Sequence, residues 1–512
     1  MPLFEYVWDG ALVIALAPLL IPAAVGNMVQ RVYTYTTRKG KLSDLPTIKS
    51  MIFPMSDLRL KPGRIEALLA ELKKEDGTFP PLVFFGPHID GTPAVGVTSV
   101  SGLRTIFTND KLFPKYDPFY DVARDVAGED GGLVAMKGEV WKKERRLLTP
   151  HFHFDRLTDG VPKITSVCSS MWKELKSSPP SSLDSVDVNK VFSDMALAII
   201  IKYAFGDRVP VRVIADAFEK IVAMLPTYML ELTLFGRVAA YLPFSPNLSI
   251  LKGRRMIKNC IEEVVKKSMR ERAEDKDKKG KQREGRSDFS LIDSIIDMAS
   301  GVDDTKVINH AVSEGILFLF AGQDTTSNTL SFAIDFLSLP ENMHYQEKAR
   351  EEAFRVFGGM SGFEEAARTD VNELHVCEQI INETLRLTPA VPFVDRRAAA
   401  DIHICGKLIP KGTAVLPFFS AVQRHGDSWT DADRFNPDRF SAEIEHDNFS
   451  FAPFSAGRRN CIGQKLAMIE AKLALASFLM VFRAESITQR QCEWHFEATM
   501  RPHNMRTRLI PI

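Results

Sequence analysis

The segment Phe454–Gly463, FSAGRRNCIG, constrains this chain more than any other ten residues in it. Cys461 sits between Gly457 and Gly463, and an apolar helical pattern follows at once, with Leu466, Ile469, Leu473 and Ala476 on one face. Glycines at those positions let the backbone turn tightly and let another body come close. A thiol just ahead of a helix N-terminus meets free N–H groups and the positive end of the dipole, and Arg458 and Arg459 add charge. Its pKa is therefore expected to fall from the ordinary ~8.5. The pattern predicts a thiolate that acts as a metal ligand or as a nucleophile. A cysteine nucleophile needs a histidine base, and none of the histidines stands in a recognisable signature around this cysteine. A metal or a haem iron is the other taker.

The pattern FxxGxRxCxG resembles the haem-binding segment of the cytochrome P450 family, in its microsomal eukaryotic type. Three further segments resemble the family in order and spacing. Glu383 and Arg386, in NETLR, match its ExxR pair; at i and i+3 they share a helix face, and alone they read equally well as a surface ion pair. Phe435–Phe440, FNPDRF, resembles FxPERF with Asp438 where Glu is commoner, and the family would bring its Arg439 to Glu383 and Arg386 in a buried triad. One carboxylate between two guanidiniums is tolerable in a core only when fully hydrogen-bonded, so that triad would serve position more than stability. Ala321–Thr326, AGQDTT, resembles the oxygen-activating stretch of the central helix, and the apolar Gly315–Phe320 before it fits a helix buried on all sides.

The resemblance implies a fold and a set of roles. The fold is mainly α, a large helical domain with a small β-sheet region. Cys461 would be the axial ligand of haem b, its electron donation favouring O–O cleavage. Trp141, Arg145, Arg396 and Arg459 would hold the haem propionates, Arg being suited to fork onto carboxylates. Ala321 and Gly322 would leave room above the iron. Thr325, bonding back to the carbonyl of Ala321, would open the helix locally, while Asp324 linked it to solvent for proton delivery. The activity implied is that of a monooxygenase acting on a hydrophobic small molecule. Electrons would come from NADPH through NADPH-cytochrome P450 reductase, with cytochrome b5 as a further partner and Lys142, Lys143, Arg458 and Lys465 as basic contacts. Two rivals share the motif: an isomerase or dehydratase that needs no reductase, and a non-catalytic haem carrier or gas sensor. Leu148–Phe154, LTPHFHF, resembles the branch containing fatty-acid hydroxylases, where a Glu often replaces Ala321 and can esterify haem; alanine cannot.

The two ends of the charge map add the rest. Positions 10–30 carry no charge, Glu5 and Asp9 precede them, and Arg31, Arg38, Lys39 and Lys41 follow. As a helix that stretch would be about 31 Å long, close to a bilayer core of roughly 30 Å. The flanking charges place the remainder in the cytosol. Residues 1–30 are thus expected to be a single-pass anchor in the endoplasmic reticulum membrane and 31–512 the catalytic domain. Arg270–Asp288 is mostly charged with both signs mixed, and reads as a solvated loop. Lys plus Arg equals Asp plus Glu, which leaves no electrostatic footprint for nucleic acid. Six scattered cysteines form neither a disulfide framework nor a zinc cluster; five of them are expected to be inert thiols in a reducing compartment. Helical spacing marks Lys137–Leu148, Asn259–Arg272, Thr305–Leu337 and Val371–Leu387; Ala94–Val97 and Ile402–Val415 read as strands.

Overall fold

The computed structural model describes most of residues 62–512, apart from 89, 129–130, 153–156, 236–244, 278–289, 299–302 and 442–443, and parts of residues 22–48. The helices of eleven residues or more are α1 (Asp117–Ala127), α2 (Gly138–Leu148), α3 (Val161–Lys176), α4 (Val188–Phe205), α5 (Val211–Phe235), α6 (Ser245–Asp277), α7 (Asp304–Leu337), α8 (Met343–Phe357), α9 (His375–Leu387) and α10 (Gln464–Val481). The expected helices are present, with two differences. Val371–Leu387 is divided, a short helix ending at Asn372 before α9 starts at His375. The charged stretch is no loop at its beginning: α6 runs on to Asp277, because Glu, Lys and Arg are good helix formers and need no burial. The rest of that stretch, the expected anchor for its greater part, and His153–Phe154 lie outside the described residues. Among the described residues no helix is long and apolar enough to cross a membrane.

The central helix, α7, starts where the Asp303 carboxylate accepts the N–H groups of Thr305 (3.0 Å) and Lys306 (3.2 Å). From Ala311 on it is buried on nearly every side, as its lack of a polar face demands. It packs on α4 and α10, and α10 is covered in turn by α3 and α8. Trp172 of α3 ties this core together: its indole N–H donates to Ser477 Oγ at 2.8 Å, and Phe192 and Phe478 meet its ring edge-on.

The strands form a four-stranded sheet in the order β1 (Leu82–Pro87), β2 (Pro93–Val97), β6 (Ala414–Pro417), β3 (Arg396–Arg397). The β2–β6 pair is parallel and its neighbours are antiparallel. Three antiparallel two-stranded pairs complete the β region: β4 (Ile402–Ile404) with β5 (Lys407–Ile409), β7 (Phe482–Ser486) with β10 (Thr507–Pro511), and β8 (Glu493–Phe496) with β9 (Met500–His503). The β4–β5 turn holds Cys405 and Gly406 at φ 47° and 78°, the twist a two-residue hairpin needs. Cys405 is consequently exposed, and so is not one of the buried thiols expected; Cys168 and Cys377 are.

Candidate functional site

Cys461 lies at the turn into α10, held by its own N–H, which donates to the carbonyl of Phe454 at 2.9 Å. Gly457 has φ 69°, and a Cβ there would stand 2.5 Å from the carbonyl oxygen of Phe107, so the loop can pass only as glycine. Arg145 of α2 clamps the residue before the cysteine: Nη1 donates to the Asn460 carbonyl (2.7 Å) and Nη2 to Asn460 Oδ1 (2.9 Å). The sulfur opens into a cavity of about 540 Å³ walled by α1, α2, α5, α7, α10 and the β8–β9 turn. Burial pushes the thiol pKa up, against the N–H groups of Gly463 and Gln464 and the charge of Arg145. The expected net lowering is therefore not found: the helix end lowers the value by less than desolvation raises it. A metal ion on the sulfur reverses that balance, since a coordinating thiol is deprotonated outright.

At one end of the cavity the cations converge. Arg145, Arg396 and Arg459 line it, as their motifs predicted, together with Lys115, which the sequence did not single out. Arg459 stacks its guanidinium 3.7 Å from the ring centroid of Trp141 and donates to the carbonyl of Met136 at 2.9 Å. Lys115 donates to the carbonyl of Val134 and lies over Tyr120. Burial, then the charges of Arg396, Arg459 and Arg145, press the Lys115 pKa well below its ordinary range; burial and Arg396 bring Arg459 to about 10. Groups that destabilise each other in this way are poised for negative charge. The two carboxylates of a haem supply it, and a thiol in the wall of the same cavity supplies the ligand. The residues fit the group.

The opposite wall belongs to α7. Thr325 Oγ1 donates to the carbonyl of Ala321 at 2.8 Å, the bond its spacing predicts, and Thr329 Oγ1 donates to Thr325 O at 2.8 Å. The helix nevertheless stays α throughout and does not open. Gly322 owes its size chiefly to packing: a Cβ there would stand 2.7 Å from Ile200 of α4. Asp324 differs most from expectation. It is buried, and its carboxylate accepts from Arg501 Nη2 at 2.8 Å, from Arg501 Nε at 3.2 Å and from the hydroxyl of Thr499. It reaches solvent only if that ion pair parts. A second acid in the cavity wall, Glu470 of α10, was also unforeseen; burial alone holds its carboxyl well above the usual range.

Behind the site the triad residues do meet. Arg386 grips the Glu383 carboxylate with Nε (2.6 Å) and Nη2 (2.8 Å), and Arg439 Nε approaches it at 3.4 Å. Apolar side chains line much of the rest of the cavity, among them Val122 and Val126 of α1, Leu225 of α5, Phe318 of α7 and Val391.

A thiol in one wall, cations at one end and a hydroxyl-bearing helix opposite define a pocket for a flat, doubly anionic metal macrocycle. The family model of cytochrome P450 matches residues 63–505, and the chain belongs to that family. It is similar to cytochrome P450 734A4 of Oryza sativa subsp. japonica, 30% identical over 78% of this chain and 76% of that protein. The ultra-long-chain fatty acid omega-hydroxylase of Homo sapiens is 30% identical over 77% and 74%. Cytochrome P450 3A6 of Oryctolagus cuniculus is 31% identical over 80% and 77%. The chain is a haem-thiolate monooxygenase: its cofactor is haem b on a cysteine thiolate, with electrons that originate in NADPH and arrive through a reductase.

Proposed function

We propose that this chain inserts one oxygen atom of O2 into a hydrophobic substrate (a fatty acid, sterol, terpenoid or xenobiotic), with NADPH-cytochrome P450 reductase as donor and cytochrome b5 as a further one. The observation that carries this reading is the placing of Thr325 and Cys461 in the walls of one cavity that is otherwise lined by apolar side chains such as Val122, Leu225 and Phe318. Bound haem supplies the binding and activation of dioxygen. The protein does the rest. Cys461 is the iron ligand; Lys115, Arg145, Arg396 and Arg459 neutralise the carboxylates, with Trp141 as the platform under Arg459. Val122, Leu225 and Phe318 strip water from the substrate. Thr325 passes a proton into the cavity, and Asp324 replenishes it when its pairing with Arg501 loosens. Glu383, Arg386 and Arg439 keep the cysteine loop in register. Lys142, Lys143, Arg458 and Lys465 are exposed, as a docking face for an acidic reductase surface requires.

Thr325→Ala tests the proton role. The variant should keep its fold and bind substrate, because the cavity loses only a hydroxyl. Product per NADPH should fall by about tenfold or more, the ordinary worth of positioned proton transfer being 10²–10⁴. NADPH consumption should fall much less, the difference appearing as hydrogen peroxide. Unchanged coupling would reject the role.

Residues 1–30 are proposed as a single-pass anchor in the endoplasmic reticulum membrane and 31–512 as a cytosolic catalytic domain. The exposed apolar side chains of Val25, Met28, Val29, Val32 and Tyr33 support membrane contact. Deleting Met1–Gln30 should move most of the protein to the soluble fraction with its haem content intact. Loss of haem on deletion would instead make the segment part of the fold.

A further inference from the structure

We propose that His88 is a positioning residue of the cofactor site, setting the pair of chain segments that present Lys115 and Arg396 to the cavity. Lys115 and Arg396 form an antiparallel bridge, reinforced by the N–H of Arg397 on the carbonyl of Pro114 at 2.9 Å. Bridge partners put their side chains on the same face, and successive residues of extended chain alternate. The two cations therefore share the cavity face, and the neighbouring Tyr116 and Asp395 share the face behind, where each is 1% exposed.

His88 occupies that rear face. Its Nε2 lies 2.6 Å from Asp395 Oδ1, and its ring meets Tyr116 edge-on, centroids 4.6 Å apart at 73°. The ring is delivered by the turn after β1, closed by the His88 N–H on the carbonyl of Thr92 and the Gly91 N–H on that of His88, both 2.8 Å. In the sheet order β1-β2-β6-β3, β1 and β3 are the outer strands and share no ladder. His88 thus joins the end of one outer strand to the start of the other, at the point where β3 meets Lys115. Among the described residues Asp395 Oδ2 and His88 Nδ1 have no hydrogen-bond partner, so the bond between the two is the side-chain hydrogen bond that each makes there. A buried carboxylate without its partner is costly, which leaves the segments little freedom to slide while the contact holds.

This rests on the proposed reading that the cationic end receives the haem carboxylates, and the test separates the two. The rate of transfer of ferric haem to an excess of an apoglobin is measured for single and double variants, with thermal melting of each beside it. Arg396→Leu should speed haem loss; if it does not, the reading of the cationic end fails. Given that it does, His88→Leu should speed loss about tenfold, the loss of one charge-assisted contact. His88→Gln, whose amide can still donate to Asp395, should restore most of the retention. Added to Arg396→Leu, His88→Leu should contribute less than about threefold; added to Arg459→Leu, it should contribute its full effect. Equal rates for the Leu and Gln variants, or full additivity with Arg396→Leu, would overturn the proposal. Should His88→Leu not fold, Asp395→Asn replaces it: faster haem loss with little change in melting is expected, and wild-type retention would be as decisive against it.

Discussion

Cys461→Ser is expected to yield a folded protein that has lost most of its haem and all of the thiolate signature of the reduced carbon-monoxide complex. A serine hydroxyl stays protonated at neutral pH and donates far less charge to iron than a thiolate. The fold should survive because the loop is held by main-chain groups and by Arg145, not by the sulfur: the Cys461 N–H bonds Phe454, and Asn460 takes both guanidinium contacts. The four cations at the other end of the site, Lys115, Arg145, Arg396 and Arg459, would still attract the haem carboxylates, so some haem should remain, loosely held and without its thiolate spectrum. Cys405→Ser is the control. That thiol is exposed on a hairpin turn beside Ser99 and Ser101, remote from the cavity, and its replacement should leave the spectrum unchanged. Measuring iron content and the carbon-monoxide difference spectrum on both variants decides the matter. A retained thiolate signature in Cys461→Ser would require a different ligand.

What could be read from the chain, and what could not, divides along sequence separation. The cysteine loop was legible because its glycines, arginine and cysteine answer to one local turn, and Thr325 because its acceptor lies four residues back on the same helix. Lys115 was not. Its role depends on a bridge to Arg396, which only the sheet topology creates, and nothing in the loop PKYDP marks it. Arg501, which holds Asp324, stands on a hairpin far along the chain and reads as one more surface charge. The pairing of Asp324 was hidden for the same reason: a polar residue on a central helix faces solvent directly only if no distant partner covers it. Glu470 did leave a signal, a lone acid inside the apolar run LAMIEAKLALASF, which a question about unmatched charge in a buried helix would have found. The Cys461 thiol shows the limit of dipole arguments. The helix end acts in the expected direction, and burial, invisible in a local pattern, outweighs it.

Glu383→Gln should be the most destabilising of the conservative substitutions considered, costing about 3–5 kcal/mol, the usual penalty for breaking a buried ion pair from one side. Glu383 and Arg386 are both fully buried, and the carboxylate also accepts the N–H of Asn436 at 2.8 Å. With its charge removed, the Arg386 guanidinium keeps the carbonyls of Gln423 (3.0 Å), Ala432 (2.7 Å) and Arg434 (3.2 Å), the Trp429 ring 5.0 Å away and a neutral amide oxygen at position 383, none of which neutralises it. Those same contacts carry the damage to the cofactor site. Gln423 donates to the carbonyls of Leu385 and Arg386 and accepts the N–H of Ala452 at 3.0 Å, two residues before the cysteine loop begins. A shift of Arg386 is thus passed through Gln423 to the segment that aims Cys461. Haem content and melting temperature should fall together. Arg439→Gln removes only the outer, partly accessible guanidinium, 3.4 Å from the carboxylate, and should cost less, about 1–3 kcal/mol. Equal losses in the two variants, or full haem content in Glu383→Gln, would show that the pair does not position the loop.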